Sequence, residues 1–142
     1  MLHYLAALAL AIALLFPAPA LAAGRVVTTA TESRDCRCWR LGVHHEEFDN
    51  DEGRIRVVAE AYSTVGDISL HSVSYRIIAK NLTTGRTRTY RGTDSVGDNG
   101  YWYRSVEPRV DNGRIRITYE VTGKFTNGLS DKMPKVTQVF DR

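Results

Sequence analysis

Two cysteines and two histidines lie close together in the sequence and are the residues best suited to metal binding or redox chemistry. Cys36 and Cys38 are separated by one residue, and His44 and His45 follow shortly after. Thiolate and imidazole donors together suit Cu(I) or Zn. In an extended strand the Cα atoms of residues i and i+2 are roughly 6.5 to 7 Å apart, at the limit for a disulfide. A local bridge is therefore disfavoured, and the open alternatives are a bridge within a bulge, a disulfide-linked homodimer, free thiols, or a metal site formed by all four residues.

Tyr101, Trp102 and Tyr103 form a second chemically distinctive group. The flat faces of aromatic rings suit stacking on sugar rings. In a strand, alternation would send Tyr101 and Tyr103 to one side and Trp102 to the other. At least one side then belongs to the core, and core packing is the simpler explanation for part of the triplet.

Catalytic motifs are absent from the sequence. It contains no Gly-x-Ser-x-Gly, no His-Glu-x-x-His and no phosphate-binding glycine loop. No pair of carboxylates or histidines can be placed together from spacing alone. We therefore predict a protein that is not an enzyme and needs no cofactor.

The first residues of the chain have the layout of an export signal. Residues 5–16 are an unbroken apolar run, followed by two prolines and a run of small residues with A-x-A cleavage sites. The run is shorter than the roughly 20 apolar residues that span a bilayer. We predict a signal peptide over residues 1–22, a single domain over residues 23–142, and a secreted or periplasmic location without a membrane span.

The hydrophobic pattern after this segment has period two, which is typical of half-buried antiparallel strands. Residues 54–62, 73–80 and 114–122 show it most clearly, and weaker candidates cover residues 26–31, 36–43, 87–91, 101–107 and 135–140. No window is typical of an amphipathic helix. The inward-facing positions of the three clear strands are Ile55, Val57, Ala59, Ala61, Val73, Tyr75, Ile77, Ala79, Ile115, Ile117, Tyr119 and Val121.

Short turns rich in Gly, Asp and Asn separate these strands, which predicts an all-β sandwich or, as the alternative, a small β-barrel. Residues 53–57 and 113–117 echo each other as Gly-Arg-Ile-Arg-Val and Gly-Arg-Ile-Arg-Ile, as expected of central strands in two sheets. Together with the run at 67–75 and the aromatic triplet, the pattern resembles immunoglobulin-like and fibronectin-type modules. The resemblance implies an antiparallel sandwich of about seven strands.

Three long polar loops are the predicted binding site. In immunoglobulin order, residues 63–72, 92–100 and 125–134 would cluster at one end of the sandwich, whereas residues 51–53, 81–85 and 111–113 would form tight turns at the other. Residues 81–83 also form an N-glycosylation sequon. Loops longer than a turn requires usually have a function. We predict a binding module that contacts a protein or glycan partner through Asp67, His71, Asp94, Asp98, Asn99, Asn127 and Asp131.

Two other classes of function stay open. One is a metal-handling or redox protein that uses the cysteine and histidine segment. The other is an extracellular structural or assembly subunit in which an edge strand pairs with another chain. The net charge of +3 permits an anionic ligand without requiring one, and a nucleic acid is not favoured. Such an anion could lie across a sheet face bearing the outward residues Arg54, Arg56, Arg114 and Arg116.

Overall fold

The computed structural model describes residues 26–32, 36–48 and 54–142. The predicted export signal and the predicted turn at residues 51–53 lie outside the described residues. All regular secondary structure in the described part is β-strand. No helix there is long and apolar enough to cross a membrane.

Nine strands follow one another along the described chain. Their bounds are β1 Val26–Glu32, β2 Trp39–Phe48, β3 Arg54–Ser63, β4 Leu70–Asn81, β5 Thr87–Ser95, β6 Tyr101–Val106, β7 Arg114–Phe125, β8 Ser130–Lys132 and β9 Val136–Asp141.

The strands form two antiparallel sheets that pack face to face. Sheet A has the order β1-β2-β3-β6, and sheet B has the order β5-β4-β7, with β8 and β9 both paired to the far side of β7. The predicted all-β sandwich is confirmed, and the described strands do not close into a barrel. The strand count is nine rather than about seven. Eight of the nine strands correspond to candidate segments of the sequence, and the ninth is the short β8, which has no hydrophobic period of its own.

The core lies between the sheets and contains the side chains that the period-two pattern placed inward. Val57, Ile77, Ile115, Ile117 and Tyr119 are fully buried, and Ile55 is 2% exposed. The predicted strand phase is therefore confirmed. The largest side chain of this core is Trp39, which packs edge-on against Phe125 with ring centroids 5.8 Å apart.

The echoed segments are central strands of different sheets. The first lies in β3, between β2 and β6, and the second lies in β7, between β4 and the pair β8 and β9. The strand order nevertheless departs from the immunoglobulin order, in which the second and third strands lie in different sheets. Here β1, β2 and β3 pair consecutively within sheet A.

The boundary of β2 corrects the sequence-based assignment. The predicted strand covered residues 36–43, whereas β2 begins at Trp39 and continues to Phe48. Residues 36–38 form a bend instead, in which Arg37 has a φ of 52°. Because the chain is not extended there, the argument against a local disulfide no longer applies.

Candidate functional site

Cys36 and Cys38 are joined to each other by a disulfide, with Cα atoms 5.1 Å apart. This corrects the expectation of a Cys-dependent dimer or free thiols, since neither cysteine in the described chain is free. The left-handed conformation at Arg37 brings the two Cα atoms closer than a strand would. Of the alternatives left open by the sequence, the bridge within an irregular segment is the one that forms.

The four proposed metal ligands are not brought together. Both sulfur atoms are used in the disulfide. His45 points into the core, is 3% exposed and stacks on Phe140 with centroids 4.1 Å apart. His44 points to the opposite face of β2, where its Nε2 lies 3.3 Å from Glu46. Adjacent residues of a strand face opposite ways, so one ion cannot bind both histidines here. Among the described residues no group of three potential ligands could hold a metal.

The three predicted loops do meet at one end of the sandwich. Thr126 donates its backbone N–H to the Ser69 carbonyl at 2.9 Å, which joins the β7–β8 loop to the β3–β4 loop. Val96 donates to the His71 carbonyl at 2.9 Å, which joins the β5–β6 loop to the same region. The Cys36–Cys38 bend lies there too, because Thr64 donates to the Cys38 carbonyl at 2.8 Å.

Five of the seven proposed binding residues are exposed at this end. Asp67, Asp98 and Asn127 lie in loops, Asn99 accepts a hydrogen bond from the Tyr101 backbone at 3.1 Å, and His71 lies at a register shift of β4. A ligand could reach all five side chains. Their role in binding stays a prediction.

The other two proposed residues have structural partners. Asp131 lies in β8, is 8% exposed, and accepts a 2.7 Å hydrogen bond from the buried Trp39 indole N–H. Asp94 lies in β5, where it accepts a 2.9 Å hydrogen bond from the Trp102 indole N–H and lies 3.7 Å from Arg104. The sequence placed both carboxylates in loops because the ends of β5 and the short β8 carry no clear apolar period. Each carboxylate satisfies a tryptophan N–H that would otherwise be buried unpaired.

The outer face of sheet A carries an exposed aromatic cluster, which we call the tyrosine face: Tyr62, Tyr101 and Tyr103 around Glu60. The three tyrosines are 42%, 41% and 48% exposed. Tyr62 is directly opposite Tyr101 across the β3–β6 pair, and Glu60 is directly opposite Tyr103. All four side chains therefore project from the same side of the sheet. The predicted alternation holds, since Trp102 points the other way and is 3% exposed.

Gly42 leaves room for the carboxylate at the centre of this face. Gly42 lies opposite Glu60 on β2, and a Cβ at Gly42 would be 3.4 Å from both Cγ and Oε1 of Glu60. The Glu60 side chain therefore lies over the bare backbone of β2. Its other oxygen, Oε2, accepts a 2.5 Å hydrogen bond from the Tyr101 hydroxyl.

This hydrogen bond sets the electrostatics of the tyrosine face. Donation to the Glu60 carboxylate raises the pKa of Tyr101 to about 12, and partial burial adds to the shift. At the far end of the same face Arg56 binds Glu46 through two nitrogen atoms at 2.5 and 3.1 Å, which lowers the pKa of Glu46. Arg56 thus neutralises Glu46, and Glu60 is the carboxylate presented among the tyrosines.

The outward arginines proposed for an anionic ligand do not share a face. Arg56 projects from β3 on the outside of sheet A, whereas Arg114 and Arg116 are exposed on β7 on the outside of sheet B. The side chain of Arg54 lies outside the described residues. Because the two sheets turn their outer faces in opposite directions, one ligand cannot lie across the whole set.

The asparagine of the N-glycosylation sequon, Asn81, is used in hydrogen bonds within the fold. Asn81 is fully buried, and its amide donates to the carbonyls of Asp111 and Asn112 at 2.6 and 3.1 Å. Its Oδ1 accepts the backbone N–H groups of Thr83 and Thr84 at 2.9 and 3.0 Å. The side chain is a structural link between two turns in the folded chain and is not presented as a glycan acceptor.

Sequence reasoning missed Glu60, Tyr62 and Gly42 as candidate site residues. Tyr62 and Glu60 alternate with Ala59 and Ala61 along β3, so the sequence pattern indicates that both side chains face outward. Their proximity to the aromatic triplet depends on β6 pairing with β3, a pairing between distant parts of the chain.

Comparison with known protein families and with curated protein sequences finds no match for this chain. The site is therefore argued from its geometry alone.

Proposed function

We propose that the protein is a non-enzymatic binding module for a glycan, which lies across the tyrosine face of sheet A. The observation that carries the proposal is the exposure of three tyrosines on one flat sheet surface, arranged around a carboxylate. Exposed aromatic side chains of this size are costly to leave in water, and a cluster of them marks a binding surface.

The chemistry of the face suits a sugar. Tyrosine rings offer apolar faces for the C–H side of a pyranose, and their hydroxyls can donate or accept hydrogen bonds. Glu60 Oε1 lies above Gly42, while Oε2 is held by Tyr101. A carboxylate is an acceptor only, and it forms charge-assisted hydrogen bonds to hydroxyl donors such as those of a sugar.

The spacing of carboxylates on this face favours binding without hydrolysis. Glycosidases use two carboxyl groups that are roughly 5 to 9.5 Å apart. Among side chains described on the outer face of sheet A, the next carboxylate after Glu60 is Glu46, opposite Arg56. Positions 56 and 60 of β3 are separated by four steps of about 3.3 Å, or about 13 Å. Glu46 is also held by Arg56.

The predicted loop end adjoins the tyrosine face and can contribute to the same site. The side-chain oxygen of Asn99 accepts a 3.1 Å hydrogen bond from the backbone N–H of Tyr101, the first residue of β6. Thus a ligand that extends beyond the tyrosines would reach the β5–β6 loop. The centre of the proposed site is therefore the sheet surface, and the predicted loops lie at its rim.

Binding of neutral oligosaccharides of glucose, xylose, mannose and N-acetylglucosamine tests the proposal, first by affinity electrophoresis and then by calorimetry. We expect Tyr62→Ala and Tyr103→Ala each to weaken binding about fivefold or more, the effect of losing a contact worth more than about 1 kcal/mol. Val139→Ala is the matched control, since Val139 is 44% exposed and lies opposite Arg116 on the outer face of sheet B. The control should bind as the parent does.

Two results would contradict the proposal. If none of these oligosaccharides binds, the ligand class is wrong. If binding survives both tyrosine variants but is lost when Asp67, Asn99 and Asn127 are replaced by alanine, the site is the loop end.

A further inference from the structure

An open groove lies at the end of the sandwich opposite the three loops. Its volume is about 560 Å³, and it is lined by the β4–β5 turn, the start of β5, the β6–β7 connection and the end of the described chain. The sequence predicted only tight turns at this end. Four arginines line the groove, which we call the arginine groove: Arg86, Arg88, Arg109 and Arg142.

The backbone around the arginine groove is held by hydrogen bonds. The buried Asn81 amide binds the carbonyls of Asp111 and Asn112, which fixes the β6–β7 connection to the β4–β5 turn. The Tyr90 hydroxyl donates to the Glu107 carbonyl at 3.1 Å and accepts the Arg109 N–H at 3.2 Å. A groove with walls fixed in this way loses little entropy when a ligand binds.

Four arginines line the groove together with two carboxylates, Asp111 and Glu107, which leaves positive charge in excess. Arg86 lies 3.0 Å from Asp111 and is neutralised by it. Within the part of the chain that the structure describes, no carboxylate pairs with Arg88, Arg109 or Arg142. Arg56, Arg76 and Arg104, in other parts of the protein, each pair with a carboxylate.

Arg142 has an unsatisfied donor within the fold. Its Nε is buried from solvent and has no hydrogen-bond partner. The backbone of Arg142 is fixed by two hydrogen bonds with Gly113, at 3.0 and 3.1 Å. A buried donor of a charged group without an acceptor is costly, so at Nε the positive charge of Arg142 is not offset by a described acceptor.

We propose that the arginine groove binds a sulfate or phosphate group carried by a small ligand. Guanidinium groups bind such oxyanions through parallel N–H···O hydrogen bonds. Three arginines that line the groove have no carboxylate partner among the described residues. The groove is much larger than one such group, since a liquid water molecule takes roughly 30 Å³. It therefore has room for a carrier about the size of a sugar. The site is separate from the tyrosine face and does not rest on the proposed glycan function.

Amide chemical-shift titration and calorimetry on the purified protein, at low ionic strength, test the proposal with five probes: inorganic sulfate, inorganic phosphate, glucose 6-sulfate, glucose 6-phosphate and glucose. We expect saturable shifts confined to residues 82–88 and 107–113 and the end of β9 with the four anions, and none with glucose. Tighter binding of the esters would show that the carrier is recognised, whereas equal binding would identify the free anion as the ligand.

Substitution of the arginines distinguishes a built site from general attraction. Arg88→Gln and Arg109→Gln should each weaken binding by about tenfold, as expected when a charge-assisted hydrogen bond is lost. Arg91→Gln is the matched control, because Arg91 is an exposed arginine of the same strand, β5, and does not line the groove. Circular dichroism confirms that each variant is folded.

Three results would overturn the proposal. One is the absence of saturable binding of any anion. Another is an equal loss in Arg91→Gln, which would show attraction to net charge alone. The third is a set of shifts centred on the outer face of sheet B, around Arg76 and Arg116, in place of the groove.

Discussion

Replacement of Asp131 by alanine should destabilise the fold far more than replacement of an exposed loop aspartate. Asp131 is 8% exposed and accepts a 2.7 Å hydrogen bond from Trp39, a fully buried residue. The variant leaves the indole N–H in the core without this acceptor. A lost hydrogen bond to a charged group and an unsatisfied buried donor each cost between about 1 and 3 kcal/mol. These two costs describe the same Trp39–Asp131 hydrogen bond and are not added, so we expect the free energy of unfolding to fall by about 1.5 to 3 kcal/mol.

Urea denaturation followed by far-ultraviolet circular dichroism measures this loss as a lower midpoint with an unchanged slope. Asp67→Ala is the matched control, since Asp67 is an exposed loop residue at the same end and should change stability by less than about 0.5 kcal/mol. Asp131→Asn retains an acceptor oxygen for the indole and should lose less than the alanine variant.

The reasoning is refuted if Asp131→Ala is as stable as Asp67→Ala. The hydrogen bond from Trp39 to Asp131 would then contribute nothing to stability, and Asp131 would again be a candidate ligand-binding residue. Tryptophan fluorescence is a poor probe for this comparison because the chain has two tryptophans and the variant alters the surroundings of one.

Three further predictions follow from the core, the disulfide and the tyrosine face. Ile117→Ala should destabilise by about 2 to 5 kcal/mol in the same urea assay, because a fully buried side chain is removed, and a loss below about 0.5 kcal/mol would contradict the phase of β7. Without reductant, Cys36 and Cys38 should resist alkylation and the protein should migrate as a monomer in non-reducing electrophoresis, whereas a Cys-dependent dimer would contradict the bridge. In an absorbance titration Tyr101 should ionise near pH 12, and Glu60→Gln should lower this pKa. The folded-state pKa of Tyr101 lies above the ordinary value of 10, so the stability that this hydrogen bond contributes is present below pH 10 and is lost as pH rises towards about 12. Ionisation of Tyr101 at the ordinary pKa would show that its hydrogen bond to Glu60 is absent.

The sequence alone determined which side chains form the core and which class of fold they build. Ile55, Ile115 and Ile117 alternate with charged or polar residues, and this local period fixes a buried and an exposed face for each strand whatever its partners are. Turn residues set where those strands end. The sandwich and the loop cluster at one end could therefore be predicted without coordinates.

Tertiary structure decided the pairings, and with them the sites. Glu60 and Tyr101 are far apart in the sequence, and they meet because β6 pairs with β3 at the edge of sheet A. The Cys36–Cys38 bridge depends on the left-handed backbone conformation of Arg37, and a hydrophobic pattern of period two does not predict such a conformation. The arginine groove likewise brings together the start of β5, the β6–β7 connection and Arg142, which follows β9. Local sequence determines which way each side chain faces, whereas the contacts that make a binding surface arise between segments distant in the chain, and only packing brings those segments together.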